Sequence, residues 1–170
     1  LGQTYLGAYT DAKGDWLDGG KTYRLHVGAN PPAKQFWSMT VYDIDSRCLI
    51  DNPQRKADLS SRQDLKKNPD GSVDLYFGPT APKGFENNWV QTVPGKHWFS
   101  YFRLYAPTEA YFDKSWKLDD ITAEMASRGD EVRGDSRLGI IGTTARWMLP
   151  SPRSAASCWP ASCTCCPRCW

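Results

Sequence analysis

Short runs in which apolar and polar residues alternate dominate the chain from Leu1 to Ile121, with Gly, Pro and Asn between them, a pattern that predicts β-strands. The cleanest run is Lys21 to Val27. It sets Tyr23, Leu25 and Val27 on one face and Thr22, Arg24 and His26 on the other, so the Tyr23 face is expected to meet the core. A glycine-rich stretch from Gly14 to Gly20 leads into it from Tyr5 to Tyr9, and these two runs are expected to pair as neighbours. Asn30-Pro31-Pro32 ends the run. In Phe36 to Asp43, Trp37, Met39 and Val41 share one face while Phe36, Ser38, Thr40 and Tyr42 share the other. In Trp98 to Tyr105 the faces are Trp98, Ser100, Phe102 and Leu104 against Phe99, Tyr101, Arg103 and Tyr105. Aromatic residues on both faces predict that each is a central strand.

Asn68-Pro69-Asp70-Gly71 is a turn sequence leading into Val73, Leu75 and Phe77, and a hairpin is predicted there. Only Thr108 to Phe112 reads as helical. Seven or eight short strands over about 120 residues predict an all-β fold, an antiparallel jelly-roll-like β-sandwich with a short helical segment. A closed barrel is the alternative.

The chain of 170 residues has room for one domain with a core of its own. Its composition breaks near Ile121: Lys117 is the last lysine and Phe112 the last of the Phe and Tyr residues. The expected organisation is therefore a sandwich domain over 1–121 and a poorly ordered tail over 122–170, rich in Arg, Ser, Pro and Cys. Cys158, Cys163, Cys165, Cys166 and Cys169 crowd into that tail. The adjacent Cys165 and Cys166, with no tail His, fit a zinc site or disulfide knot poorly, and the tail reads rather as out-of-frame translation. Arg128-Gly129-Asp130 and Arg133-Gly134-Asp135 spell a tripeptide that integrins recognise, a match short enough to arise by chance. No apolar run reaches the roughly 18 residues of a membrane span, and the chain, which starts without Met, is expected to be a fragment of something longer.

Up to Ile121 the basic and acidic residues balance, so the net charge of +2 belongs to the tail. A neutral body argues against nucleic acid as a partner.

The ordered motifs Phe36-Trp37-Ser38-Met39-Thr40-Val41-Tyr42-Asp43, Leu49-Ile50-Asp51-Asn52-Pro53, Asp70-Gly71-Ser72, Asn88-Trp89, Phe102-Arg103-Leu104-Tyr105-Ala106-Pro107 and Trp116-Lys117-Leu118 resemble the bacterial domain of unknown function 1214 over Leu1 to Ile121. That resemblance implies a jelly-roll sandwich that follows another domain, the domain of unknown function 1254, in proteins of the periplasm, cell envelope or secreted fraction. It implies no agreed activity and no cofactor, and members tend to stop soon after the equivalent of Ile121.

Candidate chemistry is sparse. Gly20-Lys21-Thr22 looks like the end of a phosphate-binding loop, but its spacing from Gly14 is wrong and a strand follows instead of a helix. His26 and His97 are the only imidazoles, and no nucleophile elbow marks Ser38, Ser60, Ser61 or Ser100. Asp43, Asp45 and Asp51 would permit a carboxylate pair or calcium site if a loop gathered them, though loop carboxylates more often serve turns. Cys48 reads as a small apolar filler.

If the two central strands are adjacent, their polar-aromatic faces join into one patch. There Arg103 would supply a fixed cation and Tyr42, Tyr101 and Tyr105 adaptable hydroxyls, suited to a glycan or acidic ligand or to docking the upstream domain. Arg62 and Trp89 complete the candidate ligand-binding set, although they, Asn52 and Asn88 equally suit structural hydrogen bonding. The expected function is a noncatalytic binding module, with an esterase-like hydrolase as the alternative, and no metal is expected.

Overall fold

A computed structural model describes residues 2–124. In chain order the elements are β1 (Gln3–Ala8), β2 (Thr22–Val27), β3 (Ala33–Asp43), β4 (Asp58–Ser60), β5 (Val73–Gly78), β6 (Trp89–Gln91), β7 (Trp98–Pro107), the one-turn helix α1 (Glu109–Phe112) and β8 (Thr122–Glu124). They form two four-stranded sheets, ordered β1-β7-β3-β4 and β6-β5-β2-β8. The fold is the expected sandwich. Among the described residues no named strand of one sheet pairs with a strand of the other, so the two sheets do not close into a barrel, and the β5–β6 pair is parallel in an otherwise antiparallel arrangement.

Alternation decides what each strand buries. Tyr23, Leu25 and Val27 of β2 are buried as expected, while Arg24 is exposed. From the opposing sheet, Trp37, Met39 and Val41 of β3 and Trp98, Phe102 and Leu104 of β7 close the same core. Trp98 joins the layers: its ring lies 5.7 Å from Tyr23 in an edge contact and 5.1 Å from Phe77. Burying such a side chain contributes about 1.5–3 kcal/mol. Both strands expected to be central are so, and they are neighbours.

Three expectations give way to tertiary contacts. First, β1 pairs with β7 and β2 with β5 and β8, so the first two strands lie in different sheets. The cause is Leu17, fully buried, which draws the glycine-rich connection inward: Leu17 N donates to Tyr9 O, and Trp98 N to Leu17 O. Second, the turn at Asn68 forms, with Gly71 N donating to Asn68 O at 2.9 Å, yet it closes no hairpin. The backbone before it is already taken, because Lys66 N and Lys66 O both bond to the Asn88 side chain. Third, Cys48 is exposed and fills no core space, since it sits in the turn that follows Asp43.

The sheet also runs past the composition break. Ile121 is buried, and Thr122–Glu124 pairs with β2, helped by the Arg24–Glu124 ion pair at 2.9 Å. The cysteine cluster and the Arg-Gly-Asp copies lie outside the described residues.

Gly19 sits where two loops cross. A Cβ there would fall 2.1 Å from Val93 O and 2.9 Å from Lys96 O, while Gly19 O accepts a bond from Thr92 Oγ1 at 2.7 Å. Gly19→Ala is therefore expected to destabilise the fold by about 2–3 kcal/mol through overpacking against rigid backbone. Urea unfolding checks this, and an unchanged midpoint would contradict the loop packing.

Candidate binding face

The antiparallel register of β3 and β7 places Phe36 opposite Tyr105, Ser38 opposite Arg103, Thr40 opposite Tyr101 and Tyr42 opposite Phe99. All of these point away from the core. Strand β1 extends the same face, with Tyr5 opposite Arg103 and Gly7 opposite Tyr101. The small residues form a floor: Ser38 and Thr40 are buried beneath the larger side chains around them.

On that floor the rings pack in two groups. Phe36 and Tyr105 stack at 4.0 Å, with the Arg62 guanidinium 3.7 Å over the Phe36 ring. Phe99 is stacked between Tyr9, at 4.9 Å, and Tyr42, at 5.1 Å, with Arg47 5.5 Å over it. Arg103 joins the second group to β1: its Nη2 donates to Tyr42 Oη and its guanidinium lies 5.4 Å from the Tyr5 ring. Contacts of either kind contribute about 0.5–1.5 kcal/mol each. Arg103 Nε is buried and has no hydrogen-bond partner among the described residues. Beside it lies a hollow of about 640 Å³, with Asp58 as the acid in a wall that carries Arg62 and Arg103.

Tyr9 and Tyr101 share a hydrogen bond of 3.2 Å between their hydroxyls. That bond, then the charge on Tyr9 and burial, push the Tyr101 phenol above its ordinary range.

Of the six candidate residues, the structure gathers Tyr42, Tyr101, Arg103, Tyr105 and Arg62 on this face. Trp89 is elsewhere: it belongs to β6 in the opposite sheet, and its Nε1 donates to Gly78 O at 2.9 Å, which ties two strands together. Tyr5, Tyr9 and Arg47 were not anticipated. Tyr5 in β1 and Tyr9 just after it carry a period-two signal, but it points to this face only once β1 is placed beside β7.

The other polar candidates have structural partners. Asn52 Nδ2 donates to Lys56 O and Gln91 O, and Asn88 Nδ2 to Lys66 O and Asp74 O, so each amide pins separate backbone segments. Ser60 Oγ accepts from Arg62 N and Ser61 Oγ from Trp37 N. His97 Nδ1 lies 3.2 Å from Leu17 O. His26 Nδ1 lies 2.8 Å from Asp74 Oδ1, and among the described residues no serine hydroxyl bonds to His26.

Asp43 organises the loop after β3. Its Oδ1 accepts from Asp45 N, Ser46 N and Ser46 Oγ at 2.8–3.0 Å, and its Oδ2 lies 3.3 Å from Lys96 Nζ. The backbone bond from Ser46 is the largest cause lowering its pKa; burial opposes it, while the Ser46 hydroxyl and Lys96 add to it. A depressed folded-state value means stability that is present above the unfolded value of about 3.9 and is lost as pH falls through the folded one. Asp43→Asn is expected to cost about 1–2 kcal/mol at pH 7. Measured by urea unfolding, its gap from the unaltered chain should shrink as pH falls below about 4. A gap constant from neutral to acid pH would contradict the role of the charge.

The sequence model of a family described as a protein of unknown function (DUF1214) matches residues 2–109. The crystal structure of the VPA0106 protein from Vibrio parahaemolyticus aligns with a TM-score of 0.65 at 24% identity, over 74% of this chain and 31% of that one. An uncharacterized protein from Burkholderia cenocepacia aligns with a TM-score of 0.46 at 18% identity, over 72% of this chain and 29% of that one. The first likeness supports the fold alone, and this chain spans under a third of either structure. No curated protein matches the chain.

Proposed function

This chain belongs to the DUF1214 family, and from that premise we propose that it is a noncatalytic docking module of an exported bacterial protein. Its partner in this reading is a domain of unknown function 1254 preceding it in the same polypeptide, in the periplasm, cell envelope or secreted fraction. The observation that carries the reading is the composition of the outer face of the first sheet, where Tyr, Phe and Arg side chains crowd over β3 and β7. Aromatic residues and Arg are the types enriched where proteins bury surface against each other. Two large apolar side chains fringe the same face while exposed, Tyr5 at 46% and Leu49 at 56%.

The rings are also preorganised. Because they stack on one another and under guanidinium groups, little side-chain entropy remains to be lost when a partner covers them.

A second reading rests on Arg103 Nε, a buried donor without a partner among the described residues, beside the hollow. A carboxylate-bearing glycan would satisfy it and stack on the Phe36–Tyr105 pair.

Titration calorimetry of the full chain against a separately purified 1254 domain from a two-domain relative tests the proposal. Arg103→Ala and Tyr105→Ala are each expected to weaken binding at least about 30-fold, the scale of an interface hot spot. Binding unchanged within about twofold would overturn the docking reading. Loss of binding to galacturonate oligomers in Arg103→Ala, with domain binding intact, would replace it by the second.

A further inference from the structure

A different cavity opens at the side of the sandwich, between the β1 edge of the first sheet and β2 of the second, where the segment after α1 folds across. It measures about 520 Å³, within the roughly 300–1,000 Å³ of small-molecule sites. Its deep wall is core: Leu25 comes from β2, Met39 from β3 and Phe102 from β7, while Leu6 and Ala8 of β1 and Ile121 close the sides. Trp116 covers it, its indole 6.2 Å from the Phe102 ring and nearly parallel to it.

One polar atom in this wall is unexplained by the fold. Ser100 is 0% exposed, faces inward from β7 and lines the cavity, yet its Oγ has no hydrogen-bond partner among the described residues. A buried unmade hydrogen bond costs about 1–3 kcal/mol, so this hydroxyl points to an occupant that completes it. An occupant that presents an acceptor oxygen satisfies the O–H donor.

Its charge follows from the walls. No ionised group lines the deep part, and the charges of Lys114, Lys117, Asp119 and Asp120 stand at the mouth in equal numbers of each sign. A carboxylate or ammonium carried to Ser100 would be buried without a counter-ion. We infer that the cavity binds an uncharged carbonyl compound with an apolar body, a ketone or ester, whose oxygen accepts from Ser100 Oγ. The site is separate from the outer face, and its existence does not depend on the docking reading.

Acetophenone and its isostere α-methylstyrene, in which CH2 replaces the carbonyl oxygen, make a matched pair of probes. In methyl-detected NMR titrations of the full chain, acetophenone is expected to shift Leu25, Met39 and Ile121 saturably, and more tightly than α-methylstyrene by about 3–10-fold, the worth of one net hydrogen bond. Ser100→Ala should erase that difference while leaving α-methylstyrene unaffected. Ala8→Phe, at the cavity edge, should block both probes, and it serves as an independent variant if Ser100→Ala fails to fold. No saturable shift at these methyls, or equal affinity for the two probes in the unaltered chain, as a lone water on Ser100 would give, would overturn the inference.

Discussion

Trp98 stands where the two sheets meet, in an edge contact with Tyr23 and with the Phe77 ring tilted against it. It is also the first residue of β7, so the same contact that locks the layers together sets which face of β7 looks inward. Period two does the rest: Ser100, Phe102 and Leu104 must follow Trp98 toward the core, and Phe99, Tyr101, Arg103 and Tyr105 must face out. A slip of one residue would bury Arg103 among leucines and expose Trp98. Register, core and candidate face are therefore one constraint.

That constraint explains which parts were legible in the sequence. The faces of β2, β3 and β7 followed from alternation alone, since each strand carries a block of apolar residues at every second position. The adjacency of β3 and β7 could be suspected because both need cover on two sides. The partner of β1 could not be read, because the decisive contact is a single loop residue: Leu17 enters the core and carries the chain across to the second sheet. The missing hairpin has a similar cause, for the competitor that occupies Lys66 is the Asn88 side chain, far along the chain.

The candidate residues divide along the same line. Those on β3 and β7 were placed correctly by strand periodicity, whereas Trp89 was singled out for its motif, and its indole holds β5 to β6. Arg62 reached the outer face through the chain reversal after β4, which no local pattern encodes, and it lies over Phe36. Ser100 was visible only as a serine in a strand. Its interest lies in the hydrogen bond it lacks, a property of the packed fold.

The outer face is the part of the fold on which the docking reading rests. Three aromatic stacks, an edge contact between Tyr42 and Tyr101 and three guanidinium groups pack this side of the sheet, and no other element among the described residues lies over it. The opposite sheet offers a natural internal control, since Tyr76 and Phe85 form an aromatic contact of their own at 5.0 Å, with Lys66 over the ring. Hydroxyl-radical footprinting of the full chain, alone and mixed with a 1254 domain, tests the docking claim most directly. The account predicts that oxidation of Tyr5, Tyr42 and Tyr105 falls in the mixture while that of Tyr76 and Phe85 is unchanged. Protection of Tyr76 and Phe85, with the first three unaffected, would contradict it and move the contact surface to the other sheet.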